Sequence, residues 1–171
     1  MDRHKRLFLL CGAVHSGKTT RLKKWVQNAK AADGILAPVV AGERHLCHIA
    51  SGECRNLHKG LSAHNRVSVG RFVFNNDVFL WAGELLRSLN AHAGIIVVDE
   101  VGPLELSGRG LEPGLGRLLE APCRADFVFV VRESLEQAVR ARYAPFFKQV
   151  AAIGPEELST INPAPDISRR K

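Results

Sequence analysis

A chain of 171 residues with 46% hydrophobic residues carries enough apolar material for one folded domain with a sizeable core, which excludes an intrinsically disordered protein. No apolar run approaches the roughly 20 residues that cross a bilayer, so a membrane-spanning helix is excluded as well. The formal net charge of +7 admits nucleic acid as a partner without favouring it, because apart from Arg169-Arg170-Lys171 the basic residues are spread along the chain.

The charged start, Met1 to Arg6, runs into the unbroken apolar stretch Leu7-Phe8-Leu9-Leu10-Cys11. That stretch reads as a strand buried on both faces. Taking it for a signal peptide would remove the strand that leads into the next motif, so a cytoplasmic protein is expected. The next motif is Gly12-Ala13-Val14-His15-Ser16-Gly17-Lys18-Thr19, which fits G-x-x-x-x-G-K-[ST]. A helix is expected from Thr20 to Ala31, with Leu22, Trp25, Val26 and Ala29 at helical spacing. Strand, glycine loop and helix together give this motif its chemistry. Inward-pointing amides and the positive end of the helix cradle phosphate oxygens. The expected nucleotide-binding residues are therefore Gly12, Ala13, Val14, His15, Ser16, Gly17, Lys18, Thr19 and Thr20. Lys18 is expected to reach the β- and γ-phosphates and the Thr19 hydroxyl to ligate Mg²⁺.

After a break at Asp33-Gly34, Ile35 to Val40 reads as a strand, and Pro38, lacking a donor, places it at an edge. Residues 42–74 read as an inserted β elaboration. Within it, Arg44 to Ala50 and Glu53 to Leu57 form a hairpin about Ser51-Gly52, and Val67 to Phe74 is a last extended piece bent or bulged at Gly70. A turn at Ser51-Gly52 pairs Ile49 with Cys54, Cys47 with Asn56 and His45 with His58. Two Cys and two His on one face suit zinc, but the spacing matches no standard knuckle, and Cys is equally at home as a small buried residue. With no C-x-x-C pair among Cys11, Cys47, Cys54 and Cys123 and no secretory context, reduced thiols are expected.

Asn75-Asn76-Asp77 offers capping groups for a helix from Val78 to Ala91. Ile95 to Val98 is the strongest buried-strand signal and ends in Asp99-Glu100. A Gly- and Pro-rich loop, Gly102 to Gly114, precedes a helix through Glu120. Then come a strand at Phe127 to Val131, a helix at Ser134 to Tyr143, a strand at Phe147 to Ile153, and a loose tail over 162–171. Alternating strands and helices imply an α/β, three-layer fold with a mainly parallel sheet, here in one domain over 1–161. Ligands of such sheets bind beyond the carboxyl ends of the strands.

Four β-branched residues ending in two acids form a Walker B strand. Mg²⁺ prefers hard oxygen ligands, so Asp99 is the expected metal-side carboxylate, and Glu100, one residue on, is the candidate general base for an attacking water. A structural acid pairing with an Arg is the other reading of Glu100. The run Asp99-Glu100-Val101-Gly102-Pro103-Leu104-Glu105-Leu106, together with Gly17-Lys18-Thr19-Thr20, resembles the cancer-related nucleoside-triphosphatase family of small P-loop enzymes. Val101, Pro103 and His15 depart from the family's usual residues. The resemblance implies slow, broad hydrolysis of nucleoside triphosphates with Glu100 as base.

Further candidates are Glu105, more readily a cap or salt bridge than a site group, Arg132 as a sensor and Arg109 as an arginine finger. For each arginine a solvated surface role explains the residue equally well. A Mg-dependent hydrolase is the leading expectation, with the triphosphate as partner, no membrane, and any protein partner unknown. A P-loop kinase and a nucleotide-switched binding protein are the alternatives. The sequence shows no long Arg-studded lid of the kind a kinase uses to exclude water.

Overall fold

A computed structural model of the chain describes residues 5–12, 17–29 and 31–161. Ala13, Val14, His15 and Ser16 of the expected loop and the tail at 162–171 lie outside the described residues. In order, the elements are β1 (Arg6–Gly12), α1 (Lys18–Asn28), β2 (Ala32–Leu36), β3 (Val39–Val40), β4 (Glu43–His48) and β5 (Cys54–Asn56). They continue with β6 (Arg66–Val69), β7 (Phe72–Asn75), α2 (Asn76–Ser88), β8 (Ile95–Asp99), α3 (Pro103–Leu106) and α4 (Glu112–Glu120). The last are β9 (Asp126–Arg132), α5 (Glu136–Tyr143) and β10 (Gln149–Ile153), followed by a 3-10 turn at Pro155–Thr160.

The main sheet runs β10-β1-β9-β8-β2-β4-β3, and β5 also pairs with β4. From β10 to β2 all pairings are parallel. β4 is antiparallel to β2, β3 and β5. Alternation along each strand divides the core into two layers. Leu7, Leu9, Ile96, Val98, Phe127 and Phe129 point to the side covered by α2, α4 and α5. Leu10, Ile95, Val97, Val128 and Val130 pack with Leu22 and Val26 of α1 and with Leu158 and Ile161 after β10. The expected three layers are present. No described helix is long and apolar enough to cross a membrane.

Local chemistry sets the start of α2. Asn75 caps α2 through its Oδ1, which accepts from the Asp77 N–H at 2.9 Å. α2 and α4 cross at Gly83 and Gly114, where a Cβ on Gly114 would run into the Gly83 carbonyl. Glycine at 114 is what lets the two backbones come so close, since a Cβ on Gly83 would meet only ordinary contacts.

Three expectations are corrected. Ile35 to Val40 is not one edge strand. β2 lies inside the sheet between β8 and β4, and the chain breaks at Ala37-Pro38 before pairing again as β3. The missing donor of Pro38 is accommodated by this interruption, while its carbonyl still accepts from the His45 N–H at 2.9 Å. Val67 to Phe74 is likewise not one bulged strand but the antiparallel pair β6 and β7, turned at Gly70, whose φ of 56° is left-handed.

The third correction concerns the hairpin of β4 and β5. Cys47 faces Cys54 and His45 faces Asn56, with the turn spread over residues 49–53. His48 N–H donates to the Glu53 carbonyl at 2.8 Å and Gly52 N–H to the His48 carbonyl at 2.9 Å, which closes the turn on His48. The register therefore slips by two residues, and the opposed Cys47 and Cys54 form a disulfide. The expectation of reduced thiols fails for this pair and holds for Cys11 and Cys123. His58 packs edge-on against Phe74 at 5.2 Å rather than opposite His45. Among the described residues no group of three or more His, Cys, Asp or Glu is placed to hold a metal ion.

Candidate active site

Parallel pairing brings the expected motifs to one edge of the sheet. Gly12, the last residue of β1, is in register with Arg132, the last of β9. Asp99, ending β8, is in register with Val130, and Ile35 of β2 with Val98. The carboxyl ends of four neighbouring strands thus present Gly12, Arg132, Asp99-Glu100 and Ala37 side by side.

Gly17 enters α1 with a left-handed φ of 76°, a conformation that costs glycine little. Lys18 is the first residue of α1, and its Nζ donates to the Gly12 carbonyl at 2.8 Å, closing the two ends of the loop on each other. Thr19 follows, and its Oγ1 donates to Asp99 Oδ1 at 3.5 Å. The Ala37 N–H donates to the other oxygen, Oδ2, at 3.0 Å. Asp99 is 2% exposed. Burial pushes its carboxyl up to about 6 and the charge of Glu100 adds to this, while the Ala37 N–H and Thr19 hydroxyl oppose it. Two hard oxygens meet here, a hydroxyl and a carboxylate whose second oxygen is already engaged. A Mg²⁺ ion that keeps waters and phosphate oxygens as its other ligands fits that donor set.

Glu100 has different surroundings. Its Oε1 accepts from Arg132 Nε at 2.6 Å and its Oε2 from Arg44 Nη1 at 3.0 Å. The peptide bond between Asp99 and Glu100 is cis. Arg132 was anticipated at this strand end, and the structure sets it on Glu100. Arg44, on β4, was not anticipated. Only tertiary pairing reveals it, because the chain separates the two residues by 56 positions.

Glu105 is structural in its contacts. Buried at the first turn of α3, its Oε2 accepts from the Gly102 N–H at 2.9 Å and its Oε1 from the Leu111 N–H at 3.0 Å. Burial pushes its carboxyl up to about 7 against the pull of these donors. Glu105→Ala removes the acceptor of two buried amides, each costing about 1–3 kcal/mol when left unpaired. A loss of about 3 kcal/mol is expected, read as a fall in melting temperature of about 6–12 °C for a chain of this size. A fall below about 2 °C would show that both amides find other partners.

Arg109 is not brought to the site. Its Nε bonds Ser107 Oγ at 3.2 Å, and it lines a separate recess with Arg66, Asn76 and Leu80. The cleft that contains Asp99, Glu100, Arg44 and Arg132 encloses about 530 Å³ and extends from these groups toward β7.

A mostly parallel sheet with a strand–glycine loop–helix unit, and an acid-ended strand two places away, is the architecture of the P-loop nucleoside triphosphatases. The profile of the family described as NTPase matches residues 7–152, and the chain belongs to that family of small, nucleotide-hydrolysing P-loop proteins. Among solved structures, the chain is similar to THEP1 from the hyperthermophile Aquifex aeolicus, with a TM-score of 0.66 and 19% identity over 92% of this chain and 96% of that one. It is also similar to a human cancer-related nucleoside triphosphatase, with a TM-score of 0.67 and 22% identity over 98% of this chain and 100% of that one. At these identities the likeness establishes the fold alone. No curated protein matches the chain significantly.

Proposed function

We propose that the chain is a Mg²⁺-dependent, cytoplasmic hydrolase converting ATP, GTP and other nucleoside triphosphates to diphosphate and phosphate, slowly and with little regard to the base. One observation carries this reading. At the end of β8 two adjacent carboxylates have separate settings, Asp99 held against Thr19 and the Ala37 amide, and Glu100 turned to two arginines.

In this reading the loop amides from Gly12 to Thr20 hold the phosphates, and Lys18 turns from the Gly12 carbonyl to the β- and γ-phosphate oxygens. Thr19 and Asp99 hold the ion, which when bound neutralises charge on the phosphates. Glu100 accepts the proton of the water that attacks the γ-phosphorus as the bond to the bridging oxygen breaks. Arg132, in register with Gly12, joins the loop end to Glu100 and offers positive charge between them.

The test is phosphate release with and without Mg²⁺ across four nucleoside triphosphates. Release that needs the ion and varies less than about a hundredfold among bases is expected. A larger preference, worth nearly 3 kcal/mol, would require a dedicated base pocket and would overturn the broad-specificity reading. Diphosphate formed without inorganic phosphate, in the presence of an acceptor, would turn the assignment to a kinase.

A further inference from the structure

The proposed hydrolysis uses only one end of the 530 Å³ cleft. The rest of the cleft is a distinct chemical environment. Its floor is apolar, built from Leu46 and Leu57 of the β4–β5 hairpin, Phe74 of β7, Phe79 of α2 and Leu104 of α3. The described loop residues Gly12, Gly17, Lys18 and Thr19 do not line it. Val39 and Phe72, large apolar side chains 59% and 49% exposed, do line it. The Phe72 and Phe74 rings are stacked, with 10° between their planes and centroids 6.1 Å apart. Beside them, Arg71 lies over the Phe72 ring at 5.1 Å. Arg44 and Arg132 are matched by Glu100, whereas no carboxylate among the described residues pairs with Arg71.

We propose that this cleft is a second ligand site, separate from the phosphate loop, for a small amphipathic molecule with a flat apolar body and one anionic group. The body packs among Phe72, Phe74 and Leu57, and the anion meets Arg71. The volume falls within the roughly 300–1,000 Å³ of small-molecule pockets, and an apolar lining with a few convergent polar groups is their usual chemistry. A planar ring covers more apolar area than a flexible chain at less entropic cost, and charge-assisted contact with a guanidinium orients it. Because the cleft reaches Glu100, a molecule seated there lies against the carboxylate end of β8, where a second participant in triphosphate chemistry belongs. The site itself stands whether or not that carboxylate hydrolyses nucleotides.

The probe is 8-anilinonaphthalene-1-sulfonate, a flat aromatic anion, titrated by fluorescence into the full chain, first without nucleotide and then with saturating Mg²⁺ and a non-hydrolysable triphosphate. One saturable site that persists with nucleotide is expected. Val39→Glu and Phe72→Glu should each weaken binding at least tenfold, and Arg71→Gln should weaken it and flatten its salt dependence. Val40→Glu is the internal control. Val40 is also exposed, at 56%, but it is the next residue along β3, points to the other face, and does not line the cleft. Its affinity should match the parent's. Thermal melts select the variants that remain folded, and Val39→Glu with Val40→Glu suffices if Phe72→Glu does not fold. Absence of saturable binding, equal losses in Val39→Glu and Val40→Glu, or competitive displacement by the triphosphate would each overturn the proposal. Because the titration needs no turnover, its failure is distinguishable from failure of the hydrolase reading.

Discussion

Glu100→Gln is expected to lower single-turnover hydrolysis by roughly 10²- to 10⁴-fold, the contribution of a positioned general base, while nucleotide and Mg²⁺ affinity stay within about threefold of the parent. Asp99 cannot readily substitute, because Thr19 and the Ala37 amide engage its two oxygens and the proposed ion claims it. Gln keeps the length of the side chain and one acceptor oxygen, so one of the two arginine contacts survives. It cannot take a proton from water at neutral pH. The surroundings of Glu100 make the experiment sharper. A carboxylate between Arg44 and Arg132 is also what a purely structural acid would look like. Such a residue, replaced by Gln, would lower the melting temperature while turnover stayed within about threefold of the parent. That outcome would remove Glu100 as base and transfer attention to charge stabilisation by the arginines. Asp99→Asn should behave differently, weakening Mg²⁺ dependence and nucleotide binding together.

Lys18→Ala is expected to weaken triphosphate binding by roughly 10²- to 10⁴-fold, since two charge-assisted contacts to phosphate at about 1.5–3 kcal/mol each are lost. Lys18 Nζ donates to the Gly12 carbonyl, a part-buried contact worth about 1 kcal/mol, whose loss lowers the melting temperature by about 2–4 °C and leaves the protein folded. The two readings together separate a phosphate ligand from a structural lysine. Tight ATP binding by a folded Lys18→Ala protein would end the phosphate-loop assignment.

What the chain alone determined follows from interactions close in sequence. Leu7 to Cys11 and Ile95 to Val98 could be read as strands because unbroken apolar runs have few other homes; Ile95 to Val98 is buried throughout, whereas in β1 Leu7, Leu9 and Leu10 are buried and Phe8 and Cys11 only partly so. Gly17, Lys18 and Thr19 sit at the start of α1 because a left-handed glycine leading into a helix is a local requirement. Asn75 was legible as a cap for the same reason. The juxtaposition of Thr19 with Asp99 was inferred from two motifs and the rule for parallel sheets, and the register of β1, β9 and β8 supplies the contact. Tertiary structure alone decided the rest, because each remaining feature depends on which strand lies beside which. The pairing of β4 with β5 sets Cys47 opposite Cys54 and dissolves the imagined zinc face. Arg44 reaches Glu100 only because β4 folds back beside β2. The apolar cleft assembles side chains from β4, β7, α2 and α3 whose separations along the chain follow no period. A pattern of residues can specify a strand, a cap or a loop, but not the partner across the sheet, since register is set by the summed fit of two segments.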